Sequence, residues 1–209
     1  MRVKILCGLI FLISHQPAIR PAFADVPSRP WSLQVYGFAT RYHSALDYLP
    51  GAGVGLTVGR QIARNQLAVA TGVEYTRATQ ILMLIGGSKE IHTDLYQSFV
   101  AARGAWQPRR RSRLTFLLEL QTGLLLLRSQ PWTFDAGIFG KRTFSSKSEA
   151  KLALSWSGGA AFRVIDRLAV LLFVKQKFSR FAQRQIGVTE TTKVWRPLWH
   201  FAAGLSWQF

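Results

Sequence analysis

Apolar and polar residues alternate along most of the chain, and the alternation is clearest at its end. From Trp199 to Phe209 every second residue is apolar, and the residues between them are small or polar. A period of two is that of a β-strand with one apolar and one polar face. The last eleven residues therefore predict a strand whose apolar face contacts lipid or a protein core and whose other face is polar.

The same period recurs in seven earlier segments, and the connections between the segments alternate between long and short. Each segment is long enough to cross a bilayer at a tilt. The pattern predicts an all-β, eight-stranded antiparallel up-and-down barrel. The predicted strands cover residues 31–40, 52–60, 67–77, 95–106, 114–126, 150–163, 168–179 and 199–209, with the longest loop at 127–149 and a final loop at about 180–197.

The two faces of these strands differ in a way that indicates a membrane protein. One face is built from Leu, Val, Phe and Trp, while the other carries charged groups. A soluble barrel such as a lipocalin, which is the alternative, would carry its charges on the outside. The predicted interior therefore contains a lumen charge network: Glu74, Arg103, Glu119, Arg163, Lys175 and Lys177.

Charges inside so narrow a barrel must be paired or hydrated, because an unpaired buried charge is costly. Pairs such as Glu119 with Lys175 are plausible, but the sequence does not set the register. Two interpretations stay open: a polar plug that fills the interior, or a narrow channel whose charges tune ion passage when water enters.

The first 24 residues have the pattern of a cleaved signal peptide. A basic start and a short apolar run end in Ala22-Phe23-Ala24, a small-x-small cleavage pattern before Asp25. The apolar run is too short to span a bilayer as a helix. We expect a signal peptide at 1–24 and one barrel domain at 25–209; the only cysteine, Cys7, lies in the signal peptide, so the mature chain has no disulfide.

The chain is strongly basic, with a formal net charge of +17. Such an excess usually suggests nucleic acid, but a secreted chain rarely meets it, and here the charges are dispersed over turns and loops. Outer-membrane lipids, lipopolysaccharide phosphates above all, are the expected partners through long-range attraction. We expect no nucleic-acid partner.

The sequence contains little that suggests catalysis. Loop histidines with nearby polar groups (His43 with Ser44 and Asp47, and His92 with Asp94) could serve acyl chemistry on lipid A, but no G-x-S-x-G elbow is present. Scattered histidines of this kind are usually solvated, and their spacing offers no metal site. We therefore predict a non-enzymatic protein without catalytic, cofactor-binding or metal residues.

The longest loop carries aromatic residues among charges. They could form a contact surface for an external ligand or lipopolysaccharide, or they could belong to the aromatic girdle at the membrane interface. The residues concerned are Trp132, Phe134, Phe139, Lys141, Arg142 and Phe144.

The whole mature chain resembles the small bacterial outer-membrane β-barrel family, of the OmpA-domain, OmpX-like and surface-antigen type. The signal-peptide end, the Gly-rich second and sixth strands and the terminal Trp207-Gln208-Phe209 carry the resemblance. It implies a location in the cell outer membrane, with both mature termini in the periplasm. It also implies a structural or surface-interaction role, with a porin-like channel as the second alternative and a lipid A acyl-modifying enzyme as the third.

The resemblance further implies that the barrel-assembly machinery reads the last strand during insertion. The residues of this C-terminal insertion signal are Phe201, Leu205, Trp207 and Phe209. Because the likeness is one of pattern, it indicates architecture more sharply than function.

Overall fold

The computed structural model describes residues 31–42, 48–63, 67–84, 87–108, 112–135, 140–183 and 192–209. Nearly all of these residues lie in strands. Within the described ranges no helix is long and apolar enough to cross a membrane. The strands are β1 (Trp31–Arg41), β2 (Tyr48–Leu49), β3 (Gly51–Ala63), β4 (Leu67–Leu84), β5 (Gly87–Trp106), β6 (Leu114–Ser129), β7 (Trp132–Asp135), β8 (Lys141–Phe144), β9 (Lys147–Ile165), β10 (Leu168–Gln183) and β11 (Thr192–Gln208).

Eight of the strands close into the predicted antiparallel barrel. Around the wall the order is β1, β3, β4, β5, β6, β9, β10 and β11, and β11 pairs back onto β1. Every neighbouring pair is antiparallel, as expected for an up-and-down meander. Closure leaves no open sheet edge, which is the condition for a sheet that crosses lipid.

The predicted faces of the strands are confirmed. In β6, Leu118, Leu120 and Leu124 are about 60% exposed on the outer wall, while Glu119 and Gln121 are buried inside. The same alternation holds on the other barrel strands, so the exposed large side chains of the wall are mostly Leu, Val, Phe, Tyr and Trp. An apolar surface of this extent on a soluble protein would favour aggregation, whereas in a membrane it contacts lipid.

The two ends of the barrel differ. The "turn end" is where short connections join β3 to β4, β5 to β6 and β9 to β10, and where β1 begins and β11 ends. At this end the backbones of Trp31 and Phe209 exchange two hydrogen bonds, of 3.2 and 3.0 Å. The opposite "loop end" holds the separate hairpin formed by β7 and β8.

Strands at the loop end are longer than the pattern predicts. The predicted connection at about 78–94 is largely strand, because β4 and β5 stay paired from Leu67 with Gly104 out to Leu84 with Gly87. Likewise β10 and β11 pair out to Gln183 with Thr192. Backbone pairing continues where both faces meet water, and there the side chains need not alternate, so the sequence signal fades.

Pro197 lies within β11, although proline cannot donate to a ladder. It pairs with Phe178 on the β10 side, and β1 ends opposite Trp199 at Arg41. On its other side no described residue pairs with Pro197, so the missing N–H removes no hydrogen bond from the described ladder.

Candidate functional site

A buried ionic cluster lies in the lumen between opposite walls of the barrel. Glu74 on β4 accepts hydrogen bonds from Lys175 and from Lys177 on β10, the latter at 3.0 Å. The hydroxyl of Tyr36 on β1 donates to the same carboxylate at 2.7 Å. The side chains that point inward from β1, β4 and β10 thus meet in the lumen. We call the three charged residues among them, Glu74, Lys175 and Lys177, the ionic cluster.

The ionic cluster is almost completely withdrawn from solvent. The side chains of Glu74, Lys175 and Lys177 are 2%, 1% and 3% exposed. One carboxylate faces two ammonium groups, and the Lys175 ammonium also lies 5.0 Å from the ring centre of Phe99. Contact with aromatic faces stabilises a desolvated cation, which offsets part of the excess positive charge.

A second polar group lies nearer the turn end. Arg103 on β5 pairs with Glu119 on β6, its direct neighbour in the register. Gln121 donates to Glu119 and accepts a 2.9 Å hydrogen bond from Ser155 on β9. These contacts satisfy most of the polar atoms of this layer, as buried polar groups require.

Apolar layers border the ionic cluster on both sides. Toward the turn end, Tyr36, Phe38, Phe173 and Ala202 pack together, with Tyr36 and Phe173 edge to face at 5.1 Å. Toward the loop end lies a buried apolar group that we call the outer apolar layer. It consists of Tyr42, Ala78, Leu95, Leu125, Leu127, Ala153 and Leu198.

A small cavity lies in the interior, within the polar layer nearer the turn end. It measures about 20 Å³, which is about the size of one water, and it is lined by residues of the Arg103–Glu119 layer together with Tyr36. The side chains that fill this interior are those expected of an eight-stranded barrel.

The predicted lumen charge network is thus divided by the structure into separate parts. Five of its six members are buried inside the barrel. The suggested pair of Glu119 with Lys175 is wrong: Glu119 is bound by the adjacent Arg103, and Lys175 by Glu74. Arg163 lies apart at the turn end, where it donates to the backbone oxygen of Ser112 at 3.2 Å.

Three interior side chains were not predicted as part of the lumen charge network. Tyr36 and Gln121 complete the two polar groups, and His200 lies beside the ionic cluster, stacked on Phe38 at 4.6 Å between ring centres. The imidazole of His200 is 1% exposed and has no hydrogen-bond partner among the described residues. The alternation already assigned all three to the polar face, but none of them is an Asp, Glu, Lys or Arg, the residue types from which the charge network was chosen.

The loop-end histidine pair of the sequence analysis does not form a catalytic arrangement. His92 contacts the hydroxyl of Thr79 at 3.1 Å, while Asp94 binds Arg77 and Tyr75, each at 2.9 Å. This Arg77–Asp94 pair lies two register steps nearer the loop end than the pair of Tyr75 and Tyr96. Burial by itself raises the pKa of Asp94, but the hydrogen bonds from Arg77 and Tyr75 outweigh it and hold that pKa below its usual value.

Other candidates for chemistry remain without structural support. His43, Ser44 and Asp47 lie outside the described residues, as do the cleavage residues Ala22, Ala24 and Asp25. Among the residues that are described, no group of three or more His, Cys, Asp or Glu side chains could hold a metal ion.

The aromatic residues of the longest loop are partly placed by the hairpin of β7 and β8. Trp132 and Phe144 stack face to face with ring centres 4.3 Å apart. Lys141 and Arg142 on β8 are exposed beside them. Phe139 and the side chain of Phe134 lie outside the described part of the chain. The hairpin forms its own two-stranded sheet, separate from the barrel ladder.

The residues of the predicted insertion signal are exposed on the outer wall, three of them on β11 and Phe209 directly after it. Phe201, Leu205, Trp207 and Phe209 are between 40% and 55% exposed on the apolar wall. β11 is the strand that closes the barrel against β1.

Comparison with known proteins gives matches at the level of structure. No protein-family model matches the chain, and no curated protein sequence does. Neisserial surface protein A is 17% identical, with 87% of this chain and 98% of that chain covered and a TM-score of 0.57. The outer membrane protein OprG from Pseudomonas aeruginosa is 9% identical, with coverage of 86% and 96% and a TM-score of 0.52. The outer membrane protein AlkL is 11% identical, with coverage of 93% and 97% and a TM-score of 0.51.

At such low identities the similarity is one of fold. Each match spans nearly all of the known chain, so the likeness extends to the complete barrel and not to a fragment. The resemblance expected from the alternating pattern is thereby confirmed: this chain has the eight-stranded fold of the small outer-membrane β-barrels.

Proposed function

We propose that the protein is an integral barrel of the bacterial outer membrane with a structural or surface-interaction role and no enzymatic activity. The observation that carries this proposal is the burial of the ionic cluster in the lumen, between two apolar layers. A barrel whose interior is filled has two surfaces for interaction, the outer wall that contacts lipid and the loop end that faces the surroundings. Neither of these surfaces conducts solutes.

The charge network fits a structural role better than a conducting one. Charges that tune ion flow in a pore must meet water, whereas Glu74, Lys175 and Lys177 are 3% exposed or less. Their mutual contacts tie β4 to β10 through the lumen. This arrangement supports a rigid polar plug.

The hairpin of β7 and β8 supports the surface-interaction part of the proposal. It presents the stacked Trp132 and Phe144 together with exposed basic side chains. Aromatic and basic groups that project from a membrane wall suit contact with anionic saccharides or phosphates. Lipopolysaccharide is the nearest ligand of that chemistry.

The proposed orientation places the turn end in the periplasm and the loop end outside the cell. Short turns at one end and projecting strands at the other are the arrangement of outer-membrane barrels. We further propose that the signal peptide 1–24 is removed before Asp25. The last strand would then be read by the barrel-assembly machinery.

A narrow channel is the second candidate, and the observation in its favour is the row of charged side chains along the lumen. It would require that the outer apolar layer move aside and that water reach the ionic cluster. Lipid A acyl modification ranks third. It would require two catalytic groups converging near the outer leaflet, and among the described residues His92 and Asp94 bind other partners.

The location and orientation can be tested with single cysteines, because Asp25–Phe209 has none of its own. Thr143→Cys lies on β8 at the loop end, and Arg167→Cys lies in the turn between β9 and β10. We expect a membrane-impermeant maleimide to label Thr143→Cys on intact cells and Arg167→Cys only after permeabilisation, with both proteins in the outer-membrane fraction. Reversed labelling, or a protein in the soluble fraction, would contradict the proposal.

A further inference from the structure

The small cavity in the lumen borders both polar groups of the interior. Its lining includes Tyr36, which binds the ionic cluster, and the ion pair of Arg103 with Glu119. It measures about 20 Å³, which is more than the roughly 10–15 Å³ that one water requires. We call it the lumen cavity. Most of the side chains that line it are polar: Gln34, Tyr36, Thr57, Arg103, Glu119, Gln121 and Ser157.

Two of these polar side chains have no protein partner in the part of the chain that the structure describes. Gln34 on β1 and Ser157 on β9 are each 6% exposed, and neither side chain forms a hydrogen bond with a described residue. Other polar residues of the lining are bound, as Tyr36 is to Glu74. A buried amide or hydroxyl without a partner is costly, so both groups require a ligand.

Gln34 and Ser157 come from separate parts of the barrel wall. Their strands, β1 and β9, are not neighbours, because β11 and β10 lie between them. In the register Gln34 is paired with Thr57 on β3, whereas Ser157 is paired with Glu119 on β6. Both side chains nevertheless line one cavity of about the size of a water. A single small molecule in that cavity can therefore contact both.

We propose that the lumen cavity binds one ordered water, which bridges Gln34 and Ser157 across the lumen. An amide and a hydroxyl each donate and accept hydrogen bonds, as water does. The charged side chains of the lining, Arg103 and Glu119, bind each other, so a neutral ligand is favoured over an ion. The volume is too small for a larger molecule, and a polar cavity of this size holds water whereas an apolar one stays dry.

The bridging water would join the two polar groups into one hydrogen-bonded unit. Glu119 has lone pairs beyond those that Arg103 and Gln121 use, so it can serve as a third partner, and buried waters typically make about three hydrogen bonds. Substitutions on β1 and β9 should then be energetically coupled, although the two strands share no ladder. The inference goes beyond the proposed function, since it concerns the interior and holds for either orientation of the barrel.

The first test detects the water by solid-state NMR of the refolded mature protein in lipid bilayers. Polarisation transfer from water to the amides of Gln34 and Ser157 is recorded with a gadolinium chelate in the buffer, which suppresses transfer from bulk water. Ser157→Thr keeps the hydroxyl and adds one methyl group, which should displace the water. Ser206→Thr is the matched control, because Ser206 is also buried on the inner face, on β11, and does not line the lumen cavity.

We expect transfer to both amides in the wild type and in Ser206→Thr, and its loss in Ser157→Thr. Heat-modifiable migration establishes that each variant folds. No transfer in the wild type, or equal transfer in the two threonine variants, would overturn the inference. Transfer that the gadolinium chelate abolishes would overturn it as well, because bulk water would then reach these residues.

The second test is a double-mutant cycle of Gln34→Leu with Ser157→Ala, measured by urea unfolding. Each substitution removes one partner of the water, so their effects should be coupled by roughly threefold to tenfold in the unfolding equilibrium constant. Gln34→Leu with Ser155→Ala is the control cycle and should be additive, since Ser155 binds Gln121 and does not line the cavity. Additivity in both cycles would contradict a shared water. Failure of the proposed function is separately visible as altered cysteine labelling.

Discussion

The ammonium group of Lys175 contacts the carboxylate of Glu74 across the lumen, although the two residues are 101 positions apart in the chain. The contact joins β10 to β4, which are not neighbours in the barrel wall. Lys177 and Tyr36 bind the same carboxylate. The Glu74 carboxylate therefore accepts hydrogen bonds from three side chains that lie on two other strands.

Replacing this anion should destabilise the barrel strongly. In Glu74→Gln the two buried ammonium groups lose their counter-charge, and breaking a buried ion pair typically costs about 3–5 kcal/mol. Urea unfolding from lipid vesicles, followed by tryptophan fluorescence, measures the free energy of unfolding. The triple variant Glu74→Gln, Lys175→Met, Lys177→Met should recover most of the loss, because it removes the unpaired charges as well. A Glu74→Gln protein as stable as the wild type would show that the ionic cluster contributes nothing to stability.

The inward and outward glycines should respond oppositely to the same substitution. In Gly123→Ala the new methyl group runs into the backbone of β5 at Ser98 and Phe99, and overpacking of this kind costs about 1–3 kcal/mol. Gly158→Ala meets open space and should leave stability unchanged or raise it slightly. The same unfolding measurement compares the two variants. Equal losses would mean that the steric reason given for Gly123 is wrong.

The loop-end extension of β4 and β5 should loosen in acid. The pKa of Asp94 is lowered in the folded state, so its stabilising contribution is complete above its unfolded pKa of about 3.9 and is lost as the pH falls through the lower folded pKa. Arg77 is half exposed, so solvent screening keeps this contribution small. The protection of the amides in 77–94, corrected for the intrinsic pH dependence of hydrogen exchange, should fall below about pH 4 in the wild type. In Asp94→Asn the protection should be low at every pH, and a wild type whose corrected protection does not change in acid would contradict the assignment.

The hairpin of β7 and β8 should be separable from the barrel. In the described part of the chain its two strands pair in the ladder with each other and add no strand to the wall, so replacing residues 131–145 with a short Gly-Ser linker should leave folding intact. Heat-modifiable migration and the free energy of unfolding provide the measurement, with a change within about 0.5 kcal/mol expected for a surface change of this kind. Loss of the folded band would mean that the hairpin is part of the barrel's core.

The wall of the barrel could be predicted because lipid imposes a strict pattern on it. One face of every crossing strand must be apolar, and the side-chain period of two then assigns residues such as Leu120 and Glu119 to opposite sides. The extensions beyond the membrane could not be predicted in the same way. At Lys89 or Glu90 both faces of β5 meet water, so strand and loop have similar composition.

The side-chain pairs within the lumen could not be predicted from the sequence, for a different reason. Glu74 and Lys175 meet because side chains cross the lumen from opposite walls, and that depends on the stagger of all eight strands. Neighbouring pairs such as Arg103 with Glu119 depend only on one hairpin register.

Conductance of the refolded mature protein in planar bilayers at high salt tests the closed lumen most directly. A porin recorded in the same membrane serves as the conducting control, and heat-modifiable migration establishes that the barrel is folded. We predict that the wild type adds no current steps, because the buried ionic cluster lies between the outer apolar layer and the apolar group of Tyr36, Phe38, Phe173 and Ala202. Reproducible steps whose ion selectivity changes in Glu74→Gln would contradict this, and would mean that water and ions reach the ionic cluster.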